Sequence, residues 1–137
     1  MKRVVISGSA KLQDSINYWI KCFENKGFNI LDYPRPIEKE KFMELYPKIH
    51  KDFFENITRA NMLFVMNETK EGIDGYIGAE TFAELTFALM QNLVYNKNIQ
   101  IVILRMPSIN VQSYEEINLW LKLGWIKLLD DICEFKK

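Results

Sequence analysis

Gly72-Ile73-Asp74-Gly75-Tyr76-Ile77-Gly78-Ala79-Glu80-Thr81-Phe82-Ala83-Glu84-Leu85-Thr86-Phe87-Ala88-Leu89 runs from a glycine-punctuated loop straight into a helix. Gly72, Gly75 and Gly78 allow sharp turns and close backbone approach. From Ala79 the pattern is apolar on most sides. Phe82, Leu85 and Leu89 form one stripe, and Ala83, Phe87, Met90 and Val94 a second. Between the stripes lies a strip of Glu80, Glu84 and Gln91, and the two acids, four apart, share a face. Glu80 sits in the first turn, where an acid complements the helix dipole. Glu84 lies one turn further in. It must pair with a cation, take up a proton or face a cavity, because an isolated charge is not buried at low cost.

Outward from this stretch the chain alternates strands and helices. Immediately before the loop, Met62-Leu63-Phe64-Val65-Met66 is apolar at every position and reads as a central strand ending at Asn67-Glu68. After the helix, Ile99 to Leu104 is a further strand, stopped by Arg105-Met106-Pro107. At the start of the chain Val4-Val5-Ile6 reads as a buried strand that ends at Ser7-Gly8-Ser9. Leu12, Ile16, Trp19, Ile20 and Phe23 then fall at helical spacing, with Asn25 and Gly27 as a stop. That turn is expected to set backbone N–H groups and the Ser7 and Ser9 hydroxyls at a helix N-terminus, where anions bind well. The alternative is an ordinary tight turn.

Phe28 to Tyr33 is a second strand, closed by Pro34-Arg35-Pro36. Ile37 to Arg59 is helical in pattern, and Pro47 is expected to divide it. His50 and Asp52 lie near its middle, and a lone histidine there reads first as a surface or satisfied residue. Ser113-Tyr114-Glu115-Glu116 has the form of a capping box. Ile117, Trp120 and Leu121 give that last helix a buried face, Gly124 stops it, and Trp125 to Leu129 is a short fifth strand.

This alternation predicts an α/β fold: one doubly wound, flavodoxin-like or Rossmann-like domain over residues 1–137. Its five parallel strands take the order 2-1-3-4-5, with helices on both faces. In such a sheet the ligand crevice lies beyond the carboxyl ends of strands 1 and 3, where the winding direction reverses. Those ends are Ser7-Gly8-Ser9 and residues 67–78, and the helix carrying Glu80 and Glu84 starts at the same rim.

Composition narrows the function. At 48% hydrophobic and 13% aromatic, the 137 residues support a core and not a disordered chain. A net charge of zero gives no basic surplus for a nucleic-acid polymer. No apolar stretch approaches a membrane span, and Met1-Lys2-Arg3 with its short apolar sequel does not read as a signal peptide. Only Cys22 and Cys133 are present, which suits a cytoplasmic location and neither a disulfide framework nor a metal cluster. With His50 the single histidine, neither metal nor cofactor is expected, and acid–base chemistry falls mainly to carboxylates. Nine Phe, six Tyr and three Trp in so small a domain, with an apolar helix presenting two faces, lead to the expectation of a homodimer or larger homo-oligomer.

Three segments resemble the nucleoside 2-deoxyribosyltransferase superfamily, which includes deoxynucleoside 5′-monophosphate N-glycosidases. They are the opening strand with Ser7-Gly8-Ser9, the stretch Ile57-Thr58-Arg59-Ala60-Asn61-Met62-Leu63-Phe64-Val65, and the helix from Gly78 with Ala83-Glu84-Leu85-Thr86-Phe87-Ala88. The resemblance implies that Glu84 is a nucleophile toward the anomeric carbon of a nucleoside or nucleotide. The pattern also departs from the family. Asn61 stands where Asp is usual and Thr86 where Gly is usual. The family's acidic helper aligns with Phe53, one residue from Asp52, and a second Asp aligns with Gly78, near Asp74.

The candidate catalytic residues are therefore Glu84, Asp52 and Asp74, and the candidate substrate-binding residues are Ser7, Gly8, Ser9, Tyr76, Gly78 and Glu80. Breaking an N-glycosidic bond develops oxocarbenium character. A carboxylate at the anomeric carbon stabilises or captures it, while a second, protonated group assists the departing base. A phosphate on the substrate would call for a cation such as Arg35 or Arg105 near Ser7 and Ser9. Two other readings stand beside this one. The first is a non-catalytic nucleotide-binding or signalling module with a degenerate site. The second is an NAD glycohydrolase like Toll/interleukin-receptor domains, which also use a Glu in a flavodoxin-like fold.

Overall fold

The computed structural model describes residues 2–135. Among them five parallel strands form one sheet in the order β2-β1-β3-β4-β5. In chain order these are β1 (Arg3–Ser7), β2 (Asn29–Asp32), β3 (Met62–Val65), β4 (Gln100–Ile103) and β5 (Lys127–Leu128). The helices are α1 (Gln13–Asn25), α2 (Phe42–Arg59), α3 (Ala79–Tyr95) and α4 (Tyr114–Lys122). β3 is central because every side chain on it is apolar and can be covered from both faces; all four of its residues are buried. In the β1–β3 register Ser7 faces Val65, so the two strands end level at the same rim.

The two faces of the sheet carry different helices. Val5, Leu63, Val65, Ile101 and Ile103 pack with Phe53 and Ile57 of α2, Leu85 and Leu89 of α3, and Ile117 of α4. Val4, Ile6, Met62, Phe64 and Val102 pack on the other side against Ile16 and Phe23 of α1, together with Leu129 and Ile132 near the end of the chain. Strict alternation along each strand sends successive residues to opposite cores.

Three local expectations change. Pro47 does not divide its helix: α2 runs unbroken over 18 residues. Pro47 is the sixth of these, so its missing N–H removes the single helical bond to the Met43 carbonyl, and the side-chain packing of α2 spans it. The Ser113 capping box does not form, since Ser113 makes no side-chain cap and its buried Oγ has no partner. Finally, α1 begins at Gln13 and not directly at the serine turn. Ser9 instead closes a turn through its carbonyl, which accepts from Leu12 N at 3.1 Å.

Candidate active site

Glu84 lies in the second turn of α3 and is only 6% exposed. Beneath it Ser7, the last residue of β1 and itself buried, donates a 2.5 Å hydrogen bond from Oγ to Glu84 Oε1. That bond ties the end of the first strand to the helix after the third, so the two segments that meet at the switch point share one carboxyl. Removal from water pushes the Glu84 pKa up from 4.5 to about 8. The Ser7 hydroxyl pulls the other way, and the charges of Glu80 and Asp32 add to the rise. Among the described residues Glu84 has no ion-pair partner. Of the three fates open to a charge at this position, it has a protonated form near neutral pH and a cavity beside it.

The cavity has a volume of about 350 Å³. Its floor is the turn after β1, Gly8 to Lys11, together with the start of α3 from Gly78 to Thr81 and Glu84. The opposite wall comes from the segment after β2, Tyr33 to Ile37, and from one face of α2. Lys70 and Tyr76 close it on the side of the glycine loop. Gly8 lets this floor pass close to β3, since a Cβ there would sit 3.1 Å from the Met66 carbonyl oxygen, a tight contact that the neighbour would have to yield to by a few tenths of an ångström. Gly75 fixes the glycine loop: its φ is +62°, and a Cβ would fall 2.7 Å from Pro107 Cα. Asn67 completes the support. Its side-chain amide donates to Arg105 O at 2.7 Å, and its carbonyl accepts from Leu104 N at 2.8 Å, holding the ends of β3 and β4 together.

Gly8, Ser9, Tyr76, Gly78 and Glu80 all line the cavity with Glu84, and Ser7 supports it from below. The two other candidate acids are not brought to it. Asp52 points away on α2, where its Oδ2 is 2.6 Å from Lys48 Nζ and its side chain is 44% exposed. Asp74 is exposed on the glycine loop, accepts from Thr69 Oγ1 at 2.9 Å, and takes no part in the cavity wall. Helix geometry explains the first: two residues from His50, Asp52 is turned roughly 200° around the axis. The turn closed by Lys70 and Ile73 explains the second.

The structure supplies a different neighbour for Glu84. His50 faces the cavity from α2, with Nδ1 3.6 Å from Glu80 Oε1. It belongs to a ladder along one face of α2. Phe42 stacks on Tyr46 at 5.0 Å between centroids, Tyr46 on His50 at 4.9 Å, and His50 meets Phe54 edge-on at 4.4 Å. The signal is legible afterwards: positions 42, 46, 50 and 54 are four apart, the spacing that stacks side chains on one helix face. Burial, with the charges of Glu80 and Glu84, raises the Tyr46 pKa as well. Of the two arginines considered for a phosphate, Arg35 lines the cavity, with its guanidinium 4.4 Å over the Tyr33 ring. Arg105 is instead paired with Glu68 at 2.8 Å. Lys11 and Lys70 also line the cavity, and neither is in an ion pair among the described residues.

No family model matches the chain, and no curated protein and no solved structure matches it either. The chemistry of the site therefore rests on its own geometry.

His50, Glu80 and Glu84 place a ring nitrogen and two carboxylate oxygens within 4.8 Å of one another. Among the described residues this is the one such cluster compact enough to share a cation. A protonated, buried carboxyl is a poor cation ligand near neutral pH, since its proton must leave first. As a proton-handling set the cluster is coherent: a buried acid, a ring that accepts and donates, and an exposed acid beside the ring.

Proposed function

We propose that this protein cleaves, or transfers across, the N-glycosidic bond of a nucleotide, with Glu84 as the nucleophile. The observation that carries the reading is a single one. A glutamate in an apolar helix is buried, has no cation partner among the described residues, is held by Ser7 through one oxygen and lines a cavity of about 350 Å³. Such a group is costly to maintain for stability alone. The cavity falls in the size range of small-molecule sites. Tyr76, which lines the cavity, offers an aromatic ring to a planar base, while Lys11, Arg35 and Lys70 offer positive charge to a 5′-phosphate. The resemblance of residues 7–9, 57–65 and 78–88 to nucleoside 2-deoxyribosyltransferases supports the same chemistry.

Incubating the protein with a panel of nucleosides, nucleoside 5′-monophosphates and NAD, and following free base by chromatography, tests the reading. Base released from a monophosphate, and not from Glu84→Gln, is the expected result. Release of nicotinamide alone would move the assignment to NAD hydrolysis.

A second reading is a binding or signalling module that retains the crevice without turnover. The observation favouring it is that neither Asp52 nor Asp74 reaches Glu84. It is supported if monophosphates bind, as followed by calorimetry, and no base is released.

A further inference from the structure

We propose that His50 is the acid–base residue of this site: it gives a proton to the departing base and then takes one from the water or acceptor that releases the sugar. This rests on the N-glycosidic reading above.

Cleavage of a C1′–N bond leaves an electron pair on the base nitrogen, and for an ordinary base that pair must be protonated as the bond breaks. Asp52 and Asp74, the acids nearest in sequence to the expected helpers, lie outside the cavity wall. His50 is inside it, and its ring nitrogen comes within 4.8 Å of a Glu84 carboxylate oxygen. Paired groups that act on either side of one anomeric carbon through a covalent intermediate stand about 5–5.5 Å apart. Groups that leave space for a water on the far side stand about 6.5–9.5 Å apart. Those separations are of carboxyl pairs in glycoside hydrolases; the His50–Glu84 approach is shorter than either and leaves no space for an attacking water between the two groups, which suits attack by Glu84 itself.

Three surroundings prepare the ring. Tyr46 stacks on it at an interplanar angle of 16°, Phe54 meets its edge at 75°, and Glu80 Oε1 lies 3.6 Å from Nδ1. The aromatic contacts fix its plane. Glu80 lies on the Nδ1 side of the ring, so Nε2 is the nitrogen that exchanges the proton with the substrate. Glu80 is thus a positioning residue, and the charged groups facing His50 are Glu80 and Glu84.

The steps balance. One proton passes from the Glu84 carboxyl to His50, directly or through a water, and produces both the carboxylate and the imidazolium. The carboxylate oxygen bonds to C1′, the C1′–N bond breaks with its electron pair going to the base, and the imidazolium proton follows that pair. Water or an acceptor hydroxyl then attacks C1′, its proton goes to neutral His50, and the Glu84–C1′ bond breaks. Return of the proton from His50 to Glu84 closes the cycle.

The test separates a proton donor from a structural ring. His50→Phe keeps the aromatic ladder and removes the proton, and His50→Asn keeps a polar group of similar reach. Each is assayed for kcat/KM on the monophosphate that the wild type cleaves best. Each is also assayed on an activated counterpart, 7-methylated for a purine or 5-nitrated for a pyrimidine, whose base departs with little need of a proton. Circular dichroism checks the fold. The expected result is a loss of roughly 100- to 10,000-fold on the ordinary substrate, with the activated one within a few-fold of wild type. Glu80→Gln should give the same selectivity with a smaller loss. Equal losses on both substrates, or none on the ordinary one, overturn the assignment of His50 and leave Glu84 in place. Absence of base release by the wild type sinks the N-glycosidic reading, and the role of His50 with it.

Discussion

At the scale of single residues, one proton on Glu84 makes both stability and activity depend on pH. Its folded pKa of about 8 lies above the ordinary 4.5, so between those values the folded state holds a proton that the unfolded chain has released. Stability is therefore full below about pH 4.5 and falls as pH rises toward 8. The loss is on the order of a few kcal/mol, given about 1.4 kcal/mol per pKa unit. Denaturant melts of the wild type between pH 4 and 9 should show this slope, and Glu84→Gln should flatten it; a wild-type profile as flat as that of the variant would remove the burial argument. Base departure draws on the same proton, which Glu84 passes to His50, so activity should also fall as pH rises through about 8, and Glu84→Gln should lower turnover on the order of a thousandfold or more. Ser7→Ala deletes the hydrogen bond that holds the Glu84 pKa down, so the fall in stability should continue to higher pH. Glu84 was legible in the sequence because a charge between two apolar stripes needs an explanation. His50 was not, because a lone histidine on an amphipathic helix carries no such contradiction. Only the packing of α2 against α3 turns it inward.

At the scale of elements, the glycine loop is the part most sensitive to a small change. Gly75→Ala would place a methyl group 2.7 Å from Pro107 Cα at a φ of +62°. A loss of roughly 1–3 kcal/mol is expected, read as a lowered denaturant midpoint, with base release lost in parallel as Tyr76 and Gly78 shift. Gly72 is the control. A methyl group there would meet nothing within 4 Å, so its alanine variant bears only the backbone strain of a φ of +78°. The start of α3 at Ala79 was readable to the residue, since its stripes and its glycine boundary agree. The middle of α2 was not. Proline is normally an interruption, yet here the face carrying Phe42, Tyr46, His50 and Phe54 continues past it. Ser113 shows the converse error, a cap motif present in sequence whose hydroxyl is buried without using it. Local motifs report what a segment can do, and tertiary packing decides which option is taken.

At the scale of the whole molecule, strand order and the position of the crevice followed from the alternation of apolar runs, because parallel strands with helical crossovers leave few topologies. The second wall of the cavity did not follow, since it is made by a proline-bounded segment and a helix far from the glycine loop in sequence. No helix among the described residues is long and apolar enough to cross a membrane. The last turn of α3 leaves Leu93, Val94 and Tyr95 between 51% and 62% exposed, and this motivates the expectation of a homodimer. Light scattering at micromolar concentration should return twice the chain mass, and Leu93→Glu with Val94→Glu should return one. The tethering of the two walls has a further consequence. On one side Tyr76 N donates to Glu68 O, Ser108 N to Asp74 O, and Asn67 joins β3 to the strand beyond it. On the other, Pro34 and Pro36 have no amide to donate, and Arg35 and Ile37 donate no backbone bond among the described residues. The site is thus a vice with both jaws bolted to the frame, α2 through Phe53 and Ile57, and with one loosely fastened lip at residues 34–37. Amide exchange at Arg35 and Ile37 in that lip should outrun that at Ile73 and Tyr76, and a bound nucleotide should slow the former most.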